Sequence, residues 1–183
     1  IPFVWFMAGP AVILGYHAVG FAINLLLGAQ IASPPHISSG TFLELLIVGG
    51  LWEEPGWSGY LLPNMMKRFA NHPNGLLLAA LVTGVFRCIW HLPLFFDGHI
   101  PWFEIFIFNF AFQLVIAWVF YRSGRSVLAV MALHFVSNLM GAFTHPVFTG
   151  AELMTYTASF MSVATVFAIA LIWKSQLKPE YES

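Results

Sequence analysis

Six stretches of mostly apolar residues run along the chain, each about 20 residues long and bounded by residues that favour turns. They cover approximately residues 3–27, 41–62, 75–95, 102–121, 126–143 and 153–173. A stretch of this length crosses a bilayer as a helix, because a helix satisfies its own backbone polar groups within lipid. The sequence therefore predicts an all-α, polytopic transmembrane helical bundle with about six spans, forming one membrane domain over residues 1–183.

The composition supports a membrane protein. Hydrophobic residues make up 59% of the chain and charged residues only 8%, with a mean hydropathy of +0.80. Soluble domains carry about 25% charged residues. The net charge of −1 lacks the basic surface that nucleic acids require, so the expected partner is the lipid bilayer and not a nucleic acid. Because the chain begins with Ile1 and not methionine, we expect an N-terminal part to be missing from it.

The basic residues predict an orientation. Six of the seven lysines and arginines follow the second, fourth and sixth stretches: Lys67, Arg68, Arg122, Arg125, Lys174 and Lys178. Loops rich in lysine and arginine stay in the cytoplasm. We therefore expect an integral membrane protein, in a bacterial cell membrane, whose basic loops and C-terminus are cytoplasmic. An error of one span would scatter these residues over both faces, so the pattern also supports the count of six.

Two adjacent glutamates, Glu53 and Glu54, lie in the middle of the second stretch. An ionisable side chain at bilayer depth costs roughly 2.5–3.5 kcal/mol on insertion scales, so the default interpretation is a functional site. Neighbouring residues of a helix point about 100° apart, so only one glutamate can aim straight at a shared cavity. A structural role is the alternative, in which a glutamate pairs with Arg87 or supports a kink at Pro55.

Further polar residues lie at overlapping depths in the third and fifth stretches. Arg87 and His91 share one helix face, and His134 and Asn138 share another, because residues four apart are neighbours on a helix. We expect Glu53, His91, His134 and Asn138 to meet in one cavity. Each histidine alone could be a packing residue and the asparagine an interhelical hydrogen-bonding residue.

The chemistry that fits this set is hydrolysis. A carboxylate near an imidazole can take a proton from water as a general base. A second imidazole and a carboxamide can donate hydrogen bonds to a developing oxyanion. The sequence has no Gly-x-Ser-x-Gly segment, and no serine or cysteine is evidently placed beside these histidines. Water is therefore the simpler nucleophile.

Three motifs carry a family resemblance: Glu53-Glu54-Pro55-Gly56-Trp57, Trp90-His91-Leu92-Pro93 and His134-x-x-x-Asn138. In order and distribution they resemble the CPBP (Abi) family of type II CAAX prenyl endopeptidases and bacteriocin-processing or immunity proteins. The resemblance covers approximately residues 41–141, and the form of the first motif is similar to the bacterial branch.

The resemblance implies an intramembrane glutamic endopeptidase acting on a membrane-associated peptide or protein. Glu53 would activate water with the help of His91, His134 and Asn138 would form the oxyanion hole, and Glu54 would orient the site. No cofactor and no metal are expected, although the family has carried a metalloprotease label. The chain has no His-Glu-x-x-His, and a histidine, asparagine and glutamate set from three helices is not a usual zinc shell.

Two departures from the family pattern bear on activity. The family has an arginine where this chain has Ser58, and an aromatic residue where this chain has Arg87. Because a buried carboxylate and a buried guanidinium are each costly alone, we predict a contact between Arg87 and Glu54 that replaces the missing arginine. A contact between Arg87 and Glu53 is the alternative, and it would weaken the base.

Three functions stay open at this point. The first is the active endopeptidase. The second is a catalytically degenerate relative that serves as an immunity or scaffold protein, which the loss of arginine at Ser58 favours. The third is a transporter or ion pathway that uses the carboxylates as relays. Transport predicts a continuous polar path across the bilayer, whereas the polar residues here cluster at one depth.

Overall fold

The computed structural model describes residues 3–144 and 146–177, and all regular secondary structure within them is helical. The α-helices are α1 (Phe3–Leu26), α2 (Ser39–Leu45), α3 (Trp52–Gly56), α4 (Leu62–Arg68), α5 (Gly75–Phe96), α6 (Asn109–Arg122), α7 (Val127–Thr144) and α8 (Gly150–Trp173). Three π-helical segments join them: π1 (Leu46–Leu51), π2 (Trp57–Leu61) and π3 (Glu104–Phe108). The predicted all-α bundle is confirmed.

Five helices in the described part of the chain are long and apolar enough to cross a membrane: α1, α5, the continuous π3–α6 helix, α7 and α8. They coincide with five of the six predicted stretches, and the chain is an integral membrane protein. The remaining stretch forms an unbroken succession of α2, π1, α3, π2 and α4. It is not one regular α-helix, because the π-helical segments π1 and π2 interrupt it on either side of α3.

The bundle is built around α6, which packs against α1, α5, α7 and α8. Its Val115, Ile116 and Ala117 are completely buried. Helix α1 packs against α7 and α8, and a Cβ atom at Gly20 would overlap the backbone of Phe160, so the glycine permits the close approach. The outward faces carry exposed large apolar side chains, as expected for a surface that lipid covers.

Contacts along the helices define the two ends of the bundle. The pairs Phe108–Phe160 and Trp118–Phe167 advance together along α6 and α8, so these helices run parallel. Arg122 at the end of α6 donates a 2.8 Å hydrogen bond to the Oε1 atom of Gln176, just after α8. The basic residues at or just after the C-terminal ends of α4, α6 and α8 therefore lie at one end, which we call the basic end. Lys178 lies outside the described residues.

The opposite end joins the segment after α1 to the segment after α7. Ala32 N–H donates to the carbonyl oxygen of Val147 at 2.8 Å, and the Ser33 hydroxyl donates to that of Pro146 at 2.5 Å. Asp97 and His99, in the loop between α5 and π3, lie at this end too. We call it the non-basic end.

The orientation can be tested by labelling single cysteines in a variant in which the buried Cys88 is replaced by alanine. With an impermeant maleimide on intact cells, we expect the Asp97→Cys side chain to be labelled and the Lys67→Cys side chain to be protected until the cells are opened. Both native side chains are exposed, so neither substitution disturbs packing. Labelling of both from the same side would contradict the arrangement of the spans.

Candidate active site

Glu53 and Glu54 lie on α3, the five-residue helix between π1 and π2. A π-helical turn inserts a residue into the regular ladder and changes which face the following residues present, and such turns are frequent at functional sites. Two of them flank the glutamates here. The faces that Glu53 and Glu54 present therefore differ from those they would present in one regular helix over residues 39–68.

Glu54 is completely buried and accepts hydrogen bonds from three side chains. The Ser58 hydroxyl donates from one turn later at 2.5 Å, and His134 donates through Nδ1 at 2.7 Å. The guanidinium of Arg87 donates to the same Oε1 atom as His134. A carboxylate with these partners is held in one orientation, and its complete burial keeps an approaching water away.

Arg87 is the basic residue that neutralises Glu54, and it is only 1% exposed. Its Nε–H donates to the Gln113 side-chain oxygen at 2.7 Å. The guanidinium carbon lies 5.5 Å from the ring centre of Trp57 and 5.9 Å from that of Phe112. The predicted contact between Arg87 and Glu54 is confirmed, and it joins α5 to α3.

Glu53 is held more loosely than its neighbour. Its carboxylate accepts a 3.2 Å hydrogen bond from the Trp57 indole N–H, and a guanidinium nitrogen of Arg87 lies 3.8 Å away. Its side chain is 15% exposed, whereas that of Glu54 is fully enclosed. The two adjacent glutamates thus lie in different environments, and only Glu53 of the two has an accessible carboxylate.

His91 lies one turn after Arg87 on α5, and its Nδ1 atom is 2.8 Å from the Arg87 carbonyl oxygen. A carbonyl can only accept, so Nδ1 carries the proton. In the neutral ring, Nε2 is then the nitrogen with a free lone pair. The hydrogen bond to the helix backbone fixes both the tautomer and the ring orientation.

His134 and Asn138 lie on one face of α7, as the spacing predicted, and both face π1. A Cβ atom at Gly49 would overlap the Asn138 amide nitrogen and would lie 3.6 Å from Nε2 of His134. Gly49 and Gly50 therefore allow the backbone of π1 to approach α7 this closely. Among the described residues, the Asn138 amide has no hydrogen-bond partner, so its N–H groups are free to bind a ligand.

The structure thus joins the predicted residues through one network. Glu54, Arg87 and His134 are in direct contact, Glu53 and His91 each connect to Arg87, and Asn138 lies beside His134 at Gly49. Sequence analysis missed Gln113 and Gly49. A glutamine within a membrane span was the available signal for the first, whereas nothing in the sequence distinguishes Gly49 from other glycines.

The fold and this network define an integral membrane protein with a buried carboxylate, guanidinium and imidazole site. The family model described as type II CAAX prenyl endopeptidase Rce1-like matches residues 36–140, which include the whole network. The chain belongs to this family, in agreement with the resemblance seen in its three motifs.

A curated relative extends the comparison. The CAAX prenyl protease 2 of Methanococcus maripaludis is 27% identical to this chain over 157 residues, which are 76% of the chain and 54% of the relative. The chain spans about half the length of this relative.

Proposed function

We propose that the protein is an intramembrane endopeptidase that hydrolyses a peptide bond of a membrane-associated protein or peptide with a glutamate-activated water. The observation that carries this proposal is the difference in burial and hydrogen bonding between the adjacent glutamates. Glu54 is fully enclosed and accepts from three donors, whereas Glu53 keeps an accessible carboxylate beside the site. One carboxylate positions its neighbours and the other can react.

In the proposed reaction, Glu53 takes a proton from water with the help of the free Nε2 of His91. The water oxygen then attacks the scissile carbonyl carbon. When the carbon–nitrogen bond breaks, the same proton passes to the leaving amine. The hydrogen bond of His91 to the Arg87 carbonyl supports this role, because it leaves a lone pair on Nε2. Arg87 is paired directly with Glu54 and lies 3.8 Å from Glu53, so its charge is balanced mainly by Glu54 and weakens the base less than a direct pair with Glu53 would.

The oxyanion of the tetrahedral intermediate would accept hydrogen bonds from the Asn138 amide and from Nε2–H of protonated His134. The free amide of Asn138 supports this assignment, since a donor already engaged could not respond to developing charge. Glu54 accepts from Nδ1 of His134, which orients the ring. Burial strengthens each of these interactions.

We propose no metal step and no cofactor. Within the described residues no group of three or more histidine, cysteine, aspartate or glutamate side chains is arranged to hold a metal ion. The most buried carboxylate, Glu54, is already balanced by Arg87. Activity that withstands strong chelators is the expected result.

The substrate class follows from the relative, whose name indicates a CAAX prenyl protease. We propose a peptide adjoining a lipid-modified cysteine at a membrane surface, with the basic loops of the enzyme in the cytoplasm of the cell. Purified protein in lipid vesicles should cleave tagged, prenylated peptides, with mass spectrometry defining the bond. No covalent peptide adduct should appear on the enzyme during turnover. A trapped acyl-enzyme would exclude direct attack by water.

The catalytically degenerate reading is the second candidate. It rested on the absence of an arginine at Ser58, and the Arg87–Glu54 pair removes that argument by supplying a guanidinium from another helix. A scaffold or immunity protein would bind its partner and leave tagged peptides intact.

The close approach at Gly49 makes a further prediction. Gly49→Ala would push the Asn138 amide from its position, because the new methyl group overlaps it. We expect kcat to fall about 100-fold, as for loss of one oxyanion-hole donor, with little change in melting temperature. Gly56→Ala is the matched control, since a Cβ atom there meets nothing within 4 Å. Equal activity of the two variants would contradict the assignment of Asn138 to the oxyanion hole.

A further inference from the structure

A cavity of about 330 Å³ lies between the predicted oxyanion-hole residue Asn138 and the non-basic end of the bundle. Helices α7 and α8 and the π3 segment form its walls, and the exposed His99 lies at its rim. The polar side chains that line it include His99, Glu104, Ser137, Asn138, Thr144 and Thr157. A peptide held at Asn138 can therefore extend into this cavity.

Glu104 is the acidic residue of this cavity, and it also lines a second cavity of about 470 Å³ that reaches Gly98 and Gly150. Its side chain is partly buried and has no hydrogen-bond or ion-pair partner among the described residues. A carboxylate within a membrane span is costly without a partner. The place of Glu104 in the first turn of the π3–α6 helix favours an acid, but that position gives the carboxylate no hydrogen-bond donor.

Three other described glutamates have a donor, and Glu44 is exposed on α2. Glu54 has three donors, and Glu152, at the same end as Glu104, accepts a 3.1 Å hydrogen bond from the backbone N–H of Gln30. Glu53 accepts from Trp57. Among the described glutamates, Glu104 is therefore the one that lines a cavity and has no hydrogen-bond donor.

Two histidines line this cavity: His17, whose ring is hydrogen-bonded to Tyr156, and the exposed His99 at the rim. None of the lysines and arginines in residues 3–144 and 146–177 lines either cavity. Arg87 is bound to Glu54 and Gln113, and the remaining described basic residues lie at the opposite end. Apart from the exposed His99 at the rim, a positive charge that complements Glu104 has to arrive with a ligand.

We propose that this cavity is a substrate subsite and that Glu104 determines specificity by binding an ammonium or guanidinium group of the peptide substrate. The inference rests on the proposed endopeptidase function. Phe108 and Met161 line the cavity beside Glu104. A lysine side chain can lay its apolar stem along them and place its ammonium at the carboxylate.

The test is a binding measurement with Glu53→Gln protein in detergent micelles, so that the peptides stay intact. The probes are fluorescent, prenylated peptides in which one lysine is placed at successive positions, each matched to a norleucine peptide. We expect one lysine position to strengthen binding about tenfold, as for a hydrogen-bonded charged pair. Adding Glu104→Gln should abolish this preference, and adding Glu104→Lys should transfer it to glutamate peptides at that position.

Two further variants separate recognition from folding. Glu104→Asp keeps the charge and should retain a weaker preference for lysine. Glu152→Gln removes a carboxylate at the same end and should leave the preference unchanged. A lysine preference that survives Glu104→Gln, or the absence of any lysine preference, would overturn the proposal.

The same peptides offered to wild-type protein keep the two proposals apart. A Glu104-dependent lysine preference without cleavage would support the subsite and contradict proteolysis. Cleavage without that preference would support proteolysis and contradict the subsite.

Discussion

Glu53→Gln is expected to lower the rate of peptide hydrolysis by a factor of about 10²–10⁴, the contribution typical of a positioned general base. The substitution keeps the shape of the side chain and can keep the hydrogen bond from Trp57, since a carboxamide oxygen also accepts. The measurement is the turnover of a tagged membrane peptide by purified protein. Because losing a charge at bilayer depth is not costly, the variant should express and melt like the wild type.

Glu44→Gln is the matched control, since Glu44 lies on the same helical segment but is exposed and distant from the network. It should leave turnover unchanged. Full activity of Glu53→Gln would show that another group is the general base and would contradict the proposed mechanism. Complete loss of folding in that variant would show that Glu53 is structural.

Arg87→Leu is expected to destabilise the protein by about 3–5 kcal/mol, because it leaves the carboxylate of Glu54 buried without its cation. It also frees the side-chain oxygen of Gln113, which Arg87 satisfies. We expect a large fall in melting temperature in detergent and loss of turnover, since Glu54 would no longer hold His134 in place. Arg87→Lys should be intermediate, because an ammonium cannot contact Glu54 and Gln113 in the same forked geometry.

Adding Ser58→Arg to Arg87→Leu should restore part of both stability and turnover. Position 58 lies one turn after Glu54 and already contacts it, so an arginine there can rebuild the pair along the helix. Ser58→Arg in the wild-type background is the control, and it should destabilise by placing a second cation in a filled, completely buried position. A harmless Arg87→Leu variant, or a double variant no better than the single one, would contradict the relocation of the guanidinium.

Much of the site could be predicted from the sequence because its residues are costly in a membrane span. Arg87 is the basic residue inside the predicted spans, and Glu54 has no basic neighbour on its own helix. Each such charge is costly to bury alone, so energetics favoured their contact, with a pairing of Arg87 and Glu53 as the alternative. The shared face of His134 and Asn138 followed equally from helical periodicity.

The different burial of Glu53 and Glu54 could not be predicted from the sequence. Adjacent residues of a helix point in different directions, but the sequence does not show where the π-helical turns π1 and π2 fall. In the folded bundle, Glu54 enters the packed network and Glu53 stays accessible. The assignment of the base to Glu53 had only the family resemblance behind it until the burial of each carboxylate was known.

By itself, the sequence determined that this chain is a helical membrane protein with an ionisable site inside the bilayer. Length, apolar composition and the cost of buried charge are local properties, readable without knowing which helices touch. The tertiary structure alone decided that Gln113 of α6 supports Arg87, that Gly49 meets Asn138, and that Glu104 faces a cavity. These facts depend on which helix faces meet, and apolar spans that are all compatible with lipid leave that choice to side-chain packing.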